Sequence, residues 1–208
     1  MSREIVLDIE TTDLWVKDGH RIIDVTAVEL VDGKSTGALF HSYINPERDV
    51  PQQLLTSSGK WIKHPAGLSN EFLADKPVFA SIAKELHDFI GNSPIIITCR
   101  TENDGYTVDV AFLNMEMEKA GLPSFKDEQW LNVRKWAEAM FGNKDASLDK
   151  MLDRYKIDRS ERIANGHGAT LDAILLSDVY PKLLKDYTDF VKYQPELKQV
   201  SKKIPPII

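Results

Sequence analysis

Two carboxylates and two threonines stand together near the start of the chain, in Asp8-Ile9-Glu10-Thr11-Thr12. The short apolar, β-branched run at 4–9 predicts a buried strand that ends among them. Residues i and i+2 of a strand point to the same face, so the side chains of Asp8 and Glu10 project together. Two ionised carboxylates on an apolar strand are costly unless a metal ion or hydrogen bonds compensate them. The pattern indicates a functional site, although a surface pair at a strand end has the same spacing.

Three residues farther along the chain could join such a site. Asp172 lies one turn into the last predicted helix, where the helix dipole also favours an acid. His167 precedes that helix between Gly166 and Gly168, and a histidine held beside an acid suits a general base. Asp109 opens the helix after the fourth strand, where acids are common for the same dipole reason. Taken singly, each of the three has an ordinary structural explanation.

The elements that must position these residues follow from hydrophobic periodicity and from breakers. Strands are predicted at 4–9, 22–31, 37–45, 94–98 and 130–133, the second and third forming a hairpin. Helices are predicted from Pro77 to Gly91 and at 108–120, 134–141, 147–155 and 169–190, the last kinked at Pro181. Residues 47–76 are predicted to be mixed and loop-like. This order is typical of an α/β fold with a mixed sheet, whose ligands bind at the carboxyl ends of strands.

Composition and charge exclude several classes of protein. The 208 residues are 42% apolar and 28% charged, which excludes a disordered, collagenous or coiled-coil chain. A net charge of −6 disfavours coating of duplex DNA by bulk electrostatics, but metal ions could still hold a nucleic-acid end. The single cysteine, Cys99, excludes an internal disulfide and a cysteine-based zinc site. No apolar run is long enough to span a membrane, so we expect a soluble, cytoplasmic protein.

The length favours one domain at 1–190, followed by a flexible C-terminal tail at 191–208. The tail contains three prolines, little periodicity and lysines spaced between apolar residues. A disordered end and a tether to a partner protein are both compatible with this composition.

Several segments together resemble the DEDD exonuclease superfamily in its histidine-bearing branch (DEDDh), and in particular the proofreading subunits of bacterial DNA polymerases. The resemblance extends from about Ile5 to Tyr180. The segments that carry it are IVLDIETT at 5–12, GHRIID at 19–24, AVE at 27–29, EFLADKP at 71–77, SLD at 147–149 and HGATLDA at 167–173. The combination is far more specific than a lone Asp-x-Glu.

The resemblance implies an RNase H-like α/β fold, a mixed sheet of about five strands flanked by helices. It also implies 3′→5′ hydrolysis of a nucleic-acid end. The site residues that it implies are the acids Asp8, Glu10, Asp109 and Asp172, the general base His167, and the substrate contacts Thr11 and Thr12. Four carboxylates suit Mg²⁺ or Mn²⁺ rather than zinc. Two such ions per site would activate a water and stabilise the leaving 3′ oxygen.

The chain departs from the family pattern at three places. Asp13 stands where the family has glycine, residues 52–66 differ, and the loop at 99–108 is longer and lacks the usual His-Asn pair. Asp104 is therefore a rival to Asp109 as the acid of the second motif.

We expect metal-dependent release of nucleoside monophosphates from single-stranded or frayed 3′ ends of DNA, in proofreading or end trimming. The tail is expected to contact a DNA polymerase subunit. The alternatives are trimming of RNA 3′ ends, hydrolysis of another phosphodiester, and a non-catalytic polymerase-associated subunit that retains the fold.

Overall fold

The computed structural model describes residues 2–55, 61–63, 67–99, 101 and 105–193. Asp104, the rival acid of the second motif, lies outside the described residues, as does the tail from 194 onward. The predicted domain boundary at 190 stays a prediction, and the last helix of the described part extends two residues past it, to Lys192.

A five-stranded mixed sheet forms the centre of the fold. The strands of the described residues are β1 (Arg3–Thr11), β2 (Ile22–Val31), β3 (Lys34–Tyr43), β4 (Gln53–Leu55), β5 (Trp61–Lys63), β6 (Ile95–Ile97) and β7 (Trp130–Asn132). The order in the main sheet is β3-β2-β1-β6-β7, antiparallel among the first three strands and parallel from β1 to β7. All five strands of this sheet were predicted, and the mixed α/β class is confirmed.

The α-helices of the described residues are α1 (Asn70–Leu73), α2 (Phe79–Ile90), α3 (Val108–Lys119), α4 (Arg134–Phe141), α5 (Leu148–Tyr155), α6 (Ser160–Asn165) and α7 (Ala169–Lys192). Helix α7 continues through Pro181. The prediction of a loop-like segment at 47–76 is wrong in part, because α1 lies there and β4 pairs with β5 in a separate ribbon. Among the described residues, no helix has the length and apolar character needed to cross a membrane.

Alternation along β1 divides the core into two layers. Ile5, Leu7 and Ile9 pack in the layer of α2 and α3, whereas Val6 packs in the layer of α4, α5 and α7. Because alternate residues of a strand share a face, Asp8 and Glu10 continue the face of Val6. The two carboxylates are therefore directed to the side of the sheet that α7 covers.

A buried ion pair joins the start of β2 to α3. Glu116 is only 1% exposed. Its carboxylate accepts hydrogen bonds from Arg21 Nε at 2.5 Å and Nη2 at 2.9 Å. The same arginine donates its backbone N–H to the hydroxyl of Thr12 at 3.1 Å, so the pair also holds the loop that follows β1.

We expect Arg21→Gln to lower the free energy of unfolding by about 3–5 kcal/mol, because it leaves a buried carboxylate unpaired. The double replacement Arg21→Met and Glu116→Leu should recover most of this loss, since apolar residues of similar volume can replace a buried ion pair. Urea denaturation of the three proteins tests both expectations. A single variant as stable as the wild type would contradict the first.

Candidate active site

The predicted acids converge at one edge of the sheet. Asp8 and Glu10 lie on the last part of β1, and Asp109 and Asp172 lie in the first turns of α3 and α7. Asp109 and Asp172 are buried, and the two acids of β1 are half-buried. The negative charges of Glu10, Asp109 and Asp172 all act on the carboxyl group of Asp8. The structure therefore brings the four predicted carboxylates into one cluster, called the acid cluster below.

Burial and mutual repulsion oppose ionisation of this cluster. Burial, followed by the charges of Glu10 and Asp109, raises the pKa of Asp8 well above its usual value. Burial, followed by the charge of Asp172, raises the pKa of Glu10 to about 8. Burial raises the pKa of Asp109 to about 7, against the opposing effect of a hydrogen bond with Cys99. Divalent cations would relieve this repulsion.

Asp172 behaves differently from the other three acids. Burial alone would raise its pKa, but the neighbouring His167 ring and the Arg162 guanidinium together hold it below its usual value. Arg162 Nε lies 2.6 Å from Asp172 Oδ1, and Nη2 lies 3.0 Å from Oδ2. Sequence reasoning missed Arg162, because it lies on the six-residue helix α6, which was not predicted.

His167 lies in the turn between α6 and α7. Gly166 ends α6 with a φ of 84°, in the left-handed region that favours glycine. The His167 side chain is 47% exposed, and its Nδ1 lies 2.9 Å from Arg162 Nη2 and 3.4 Å from Asp172 Oδ2. The residue also lines an open cleft of about 260 Å³. An accessible imidazole beside carboxylates can exchange protons with a bound water.

Asp24 is a second residue that sequence reasoning missed. It lies on β2 opposite Glu10 and is 2% exposed. Its Oδ2 accepts a hydrogen bond from the backbone N–H of Ala169 at 3.1 Å, and its Oδ1 lies 3.0 Å from His41 Nε2. The first N–H groups of a helix lack partners within the helix, and Gly168 offers no side chain to cap α7. Asp24 supplies that cap from the neighbouring strand and so fixes the turn that carries His167.

The two threonines after Glu10 have different surroundings. Thr11 is partly exposed, and its hydroxyl donates to the carbonyl of Asp13 at 2.8 Å. Thr12 is fully buried, and its hydroxyl lies 2.9 Å from His20 Nδ1. The side chain of Thr12 therefore supports the loop between β1 and β2 from inside.

The described part of the altered loop packs against the loop between β1 and β2. The rings of Tyr106 and Trp15 lie 4.9 Å apart. The Tyr106 hydroxyl donates to the carbonyl of Leu14 at 2.8 Å. These contacts join the loop that follows β1 to the segment that leads into α3, three residues before Asp109.

The profile of the exonuclease family (RNase_T) matches residues 5–180. The chain belongs to the exonuclease family. The DNA polymerase III subunit epsilon of Rickettsia felis is 38% identical over 184 residues, which cover 87% of this chain and 73% of that protein. The subunit of the same name from Pasteurella multocida is 34% identical over 207 residues, 96% of this chain and 76% of that protein.

Two solved structures share the fold of this exonuclease. The nuclease domain of 3′hExo, a DEDDh family member bound to rAMP, has a TM-score of 0.63 at 18% identity, covering 89% of this chain and 92% of that one. Exonuclease X in complex with 5′ overhanging duplex DNA has a TM-score of 0.57 at 16% identity, with the same coverage. The expected RNase H-like fold is confirmed.

The exonuclease family is divalent-metal dependent, and the donor atoms of this site fit such an ion. Glu10, His167 and Asp172 each present one potential ligand atom, and the three atoms lie within 4.8 Å of one another. Asp8 and Asp109 belong to the same acid cluster, and carboxylate oxygens are the donors that Mg²⁺ and Mn²⁺ prefer. The predicted ligands were the four acids alone, so the proximity of the imidazole is an addition from the structure.

We expect the metal-free exonuclease to lose stability as the pH rises from about 5 to about 8. The acids Asp8, Glu10 and Asp109 have raised pKa values, so the folded chain keeps protons that the unfolded chain releases near 3.8 to 4.5. The stability that these protons contribute is present at low pH. It is lost as the pH passes the folded values, about 7 for Asp109 and about 8 for Glu10.

Thermal unfolding in EDTA across this pH range measures the effect. Glu10→Gln should reduce the slope of unfolding temperature against pH, and added Mg²⁺ should raise the wild-type unfolding temperature most at the alkaline end. A wild-type profile that is flat or that rises with pH would show that the cluster is not under electrostatic repulsion.

Proposed function

We propose that this exonuclease degrades DNA in the 3′→5′ direction, in proofreading or end trimming, and releases nucleoside monophosphates from single-stranded or frayed ends. The observation that carries the proposal is the acid cluster with an accessible histidine at its rim. Carboxylates at one strand end can hold the metal ions, and a solvent-facing imidazole can act as the general base, in metal-assisted hydrolysis of a phosphodiester.

The four acids would hold two Mg²⁺ or Mn²⁺ ions, with Asp8 central because the charges of the other three act on it. When bound, these ions would supply an activated water and stabilise the leaving 3′ oxygen. His167 is the general base that takes the proton of the attacking water, since its exposed ring lies beside Glu10 and Asp172. Asp24 keeps the base in place by capping α7.

Asp109 is the acid of the second motif in this proposal. Its carboxylate is buried and its charge acts on both Asp8 and Glu10, which is the property required of a member of the cluster. The nucleotide contact is assigned mainly to Thr11, which is partly exposed. Thr12 contributes by supporting the same loop, because its side chain is buried.

The partner proposal rests on the relatives. Since they are named as subunits of DNA polymerase III, we propose that this exonuclease also associates with a DNA polymerase, through the tail at 191–208. Removal of the residues after Tyr193 should abolish co-purification with that polymerase while nucleotide release by the isolated chain is retained.

The direct test uses a single-stranded DNA oligonucleotide labelled at its 5′ end, with Mg²⁺ or Mn²⁺ and an EDTA control. Stepwise shortening from the unlabelled end, with mononucleotides as products, is the expected result. Duplexes with a matched or a mismatched 3′ end then separate proofreading from simple trimming. Cleavage of an RNA oligonucleotide alone would favour the RNA alternative, and no cleavage of either substrate would favour a non-catalytic subunit.

A further inference from the structure

One guanidinium group engages two of the proposed catalytic residues at the same time. Arg162 donates to both carboxylate oxygens of Asp172, at 2.6 and 3.0 Å, and its Nη2 also lies 2.9 Å from His167 Nδ1. Its Nη1 donates to Asp149 Oδ1 at 2.5 Å. Arg162 is 9% exposed, and its two hydrogen bonds to Asp172 are buried.

The contact with His167 determines which ring nitrogen carries the proton. A guanidinium has donors only, so Nδ1 of His167 must be the acceptor of this hydrogen bond. A neutral imidazole that accepts at Nδ1 carries its hydrogen on Nε2. The lone pair of Nδ1 then accepts from Arg162 and Nε2 carries the hydrogen, so the ring has no free lone pair that could take a proton from water. In the same arrangement both oxygens of Asp172 are bonded to Arg162.

A second arrangement is available to the same residues. Nδ1 of His167 also lies 3.4 Å from Asp172 Oδ2, close to hydrogen-bonding distance. If Arg162 withdrew, Nδ1–H could donate to that oxygen, and the lone pair would move to Nε2. Asp149 offers a place for the arginine, because its carboxylate is 41% exposed and already binds Arg162 as well as Arg159.

We propose that Arg162 is a positioning residue that selects the tautomer of His167 and competes with divalent cations for Asp172. While Arg162 bridges the two residues, the base is blocked; when it shifts to Asp149 alone, the base and the carboxylate are both released. The inference rests on the proposed roles of His167 and Asp172. It explains how a buried arginine can lie inside an acid cluster that must also accept cations.

The first test measures Mn²⁺ affinity by calorimetry, which does not require catalysis. Arg162→Gln should tighten Mn²⁺ binding by about tenfold, a usual size for coupling between two ligands of one site. Arg134→Gln is the matched control, because Arg134 is also 9% exposed but binds Glu138 and Asn143 rather than Asp149 or Asp172, and it should leave the affinity unchanged. Unchanged or weaker binding by Arg162→Gln would overturn the competition, since an arginine that only orients Asp172 predicts that result.

The second test observes the imidazole of His167 by ¹⁵N NMR in the metal-free protein. The wild type should show hydrogen on Nε2, and Arg162→Gln should shift it towards Nδ1. Hydrogen on Nδ1 in the wild type would overturn the proposal without any variant. If Arg162→Gln does not fold, Arg162→Lys keeps the charge without the two-pronged geometry, and its Mn²⁺ affinity should exceed that of the wild type. A positive outcome in both tests from a chain that cleaves no DNA would reject the proposed function, while the competition for Asp172 and the tautomer of His167 would still be established.

Discussion

Asp8→Asn is expected to lower the rate of nucleotide release by about a thousandfold or more. Asp8 is the carboxylate on which the charges of Glu10, Asp109, Asp172 and Asp24 converge, so it lies at the centre of the site that cations would occupy. Asparagine keeps the shape of the side chain but removes its negative charge. A thousandfold lower rate corresponds to the loss of about 4 kcal/mol of transition-state stabilisation, since about 1.4 kcal/mol is a factor of ten in rate.

The same variant supplies its own control for folding. In EDTA at alkaline pH, Asp8→Asn should unfold at the wild-type temperature or above it, because the substitution removes like-charge repulsion from a buried cluster. Single-turnover cleavage and thermal unfolding measured on the same preparation separate the two effects. Wild-type activity in Asp8→Asn would show that Asp8 is not a catalytic residue. An inactive variant that unfolds below the wild-type temperature would show that the substitution acts on the fold rather than on catalysis.

His167→Gln is expected to lower kcat by about a hundredfold to ten-thousandfold, the usual contribution of a positioned general base. The affinity for a single-stranded 3′ end should change little, because the 47% exposed ring lies at the rim of the acid cluster. Steady-state kinetics with a DNA oligonucleotide separates kcat from KM and so distinguishes loss of the base from loss of binding.

His87→Gln is the matched control for this variant. His87 lies in the last turn of α2, where its ring stacks on Phe125 at 5.3 Å. It should retain the wild-type kcat. Equal rates for the two glutamine variants would place the general base elsewhere in the protein.

Much of the fold follows from local patterns in the sequence. The alternation of residues 22–31 predicts β2 with the bounds that the structure has. The i, i+2 spacing of Asp8 and Glu10 predicts two carboxylates on one face, because a regular strand leaves no other choice. The helix predicted at 108–120 is α3, Val108–Lys119 in the structure.

The residues that were missed act through contacts between distant segments. Asp24 lies 145 residues from Ala169, whose backbone N–H donates to the Asp24 carboxylate. No local pattern in the sequence therefore marks Asp24 as a helix cap. Its signals were its place in the segment GHRIID and the pair of polar residues, Asp24 and Thr26, in the first half of a mainly apolar strand. Arg162 lies in a short helix without apolar periodicity, and its partner Asp149 belongs to a different helix. Such roles depend on tertiary packing, which periodicity does not encode.

Helix α7 also sets a distance within the molecule. Its 24 residues carry Asp172 in the first turn and Lys192 in the last, which separates the two ends by about 35 Å at 1.5 Å per residue. A polymerase that bound the chain after Lys192 would therefore contact one end of α7, while the other end of the helix carries Asp172 of the acid cluster. The helix would act as a spacer, so that docking and hydrolysis occur at separate places and a bound polymerase leaves room for a DNA end to reach the site.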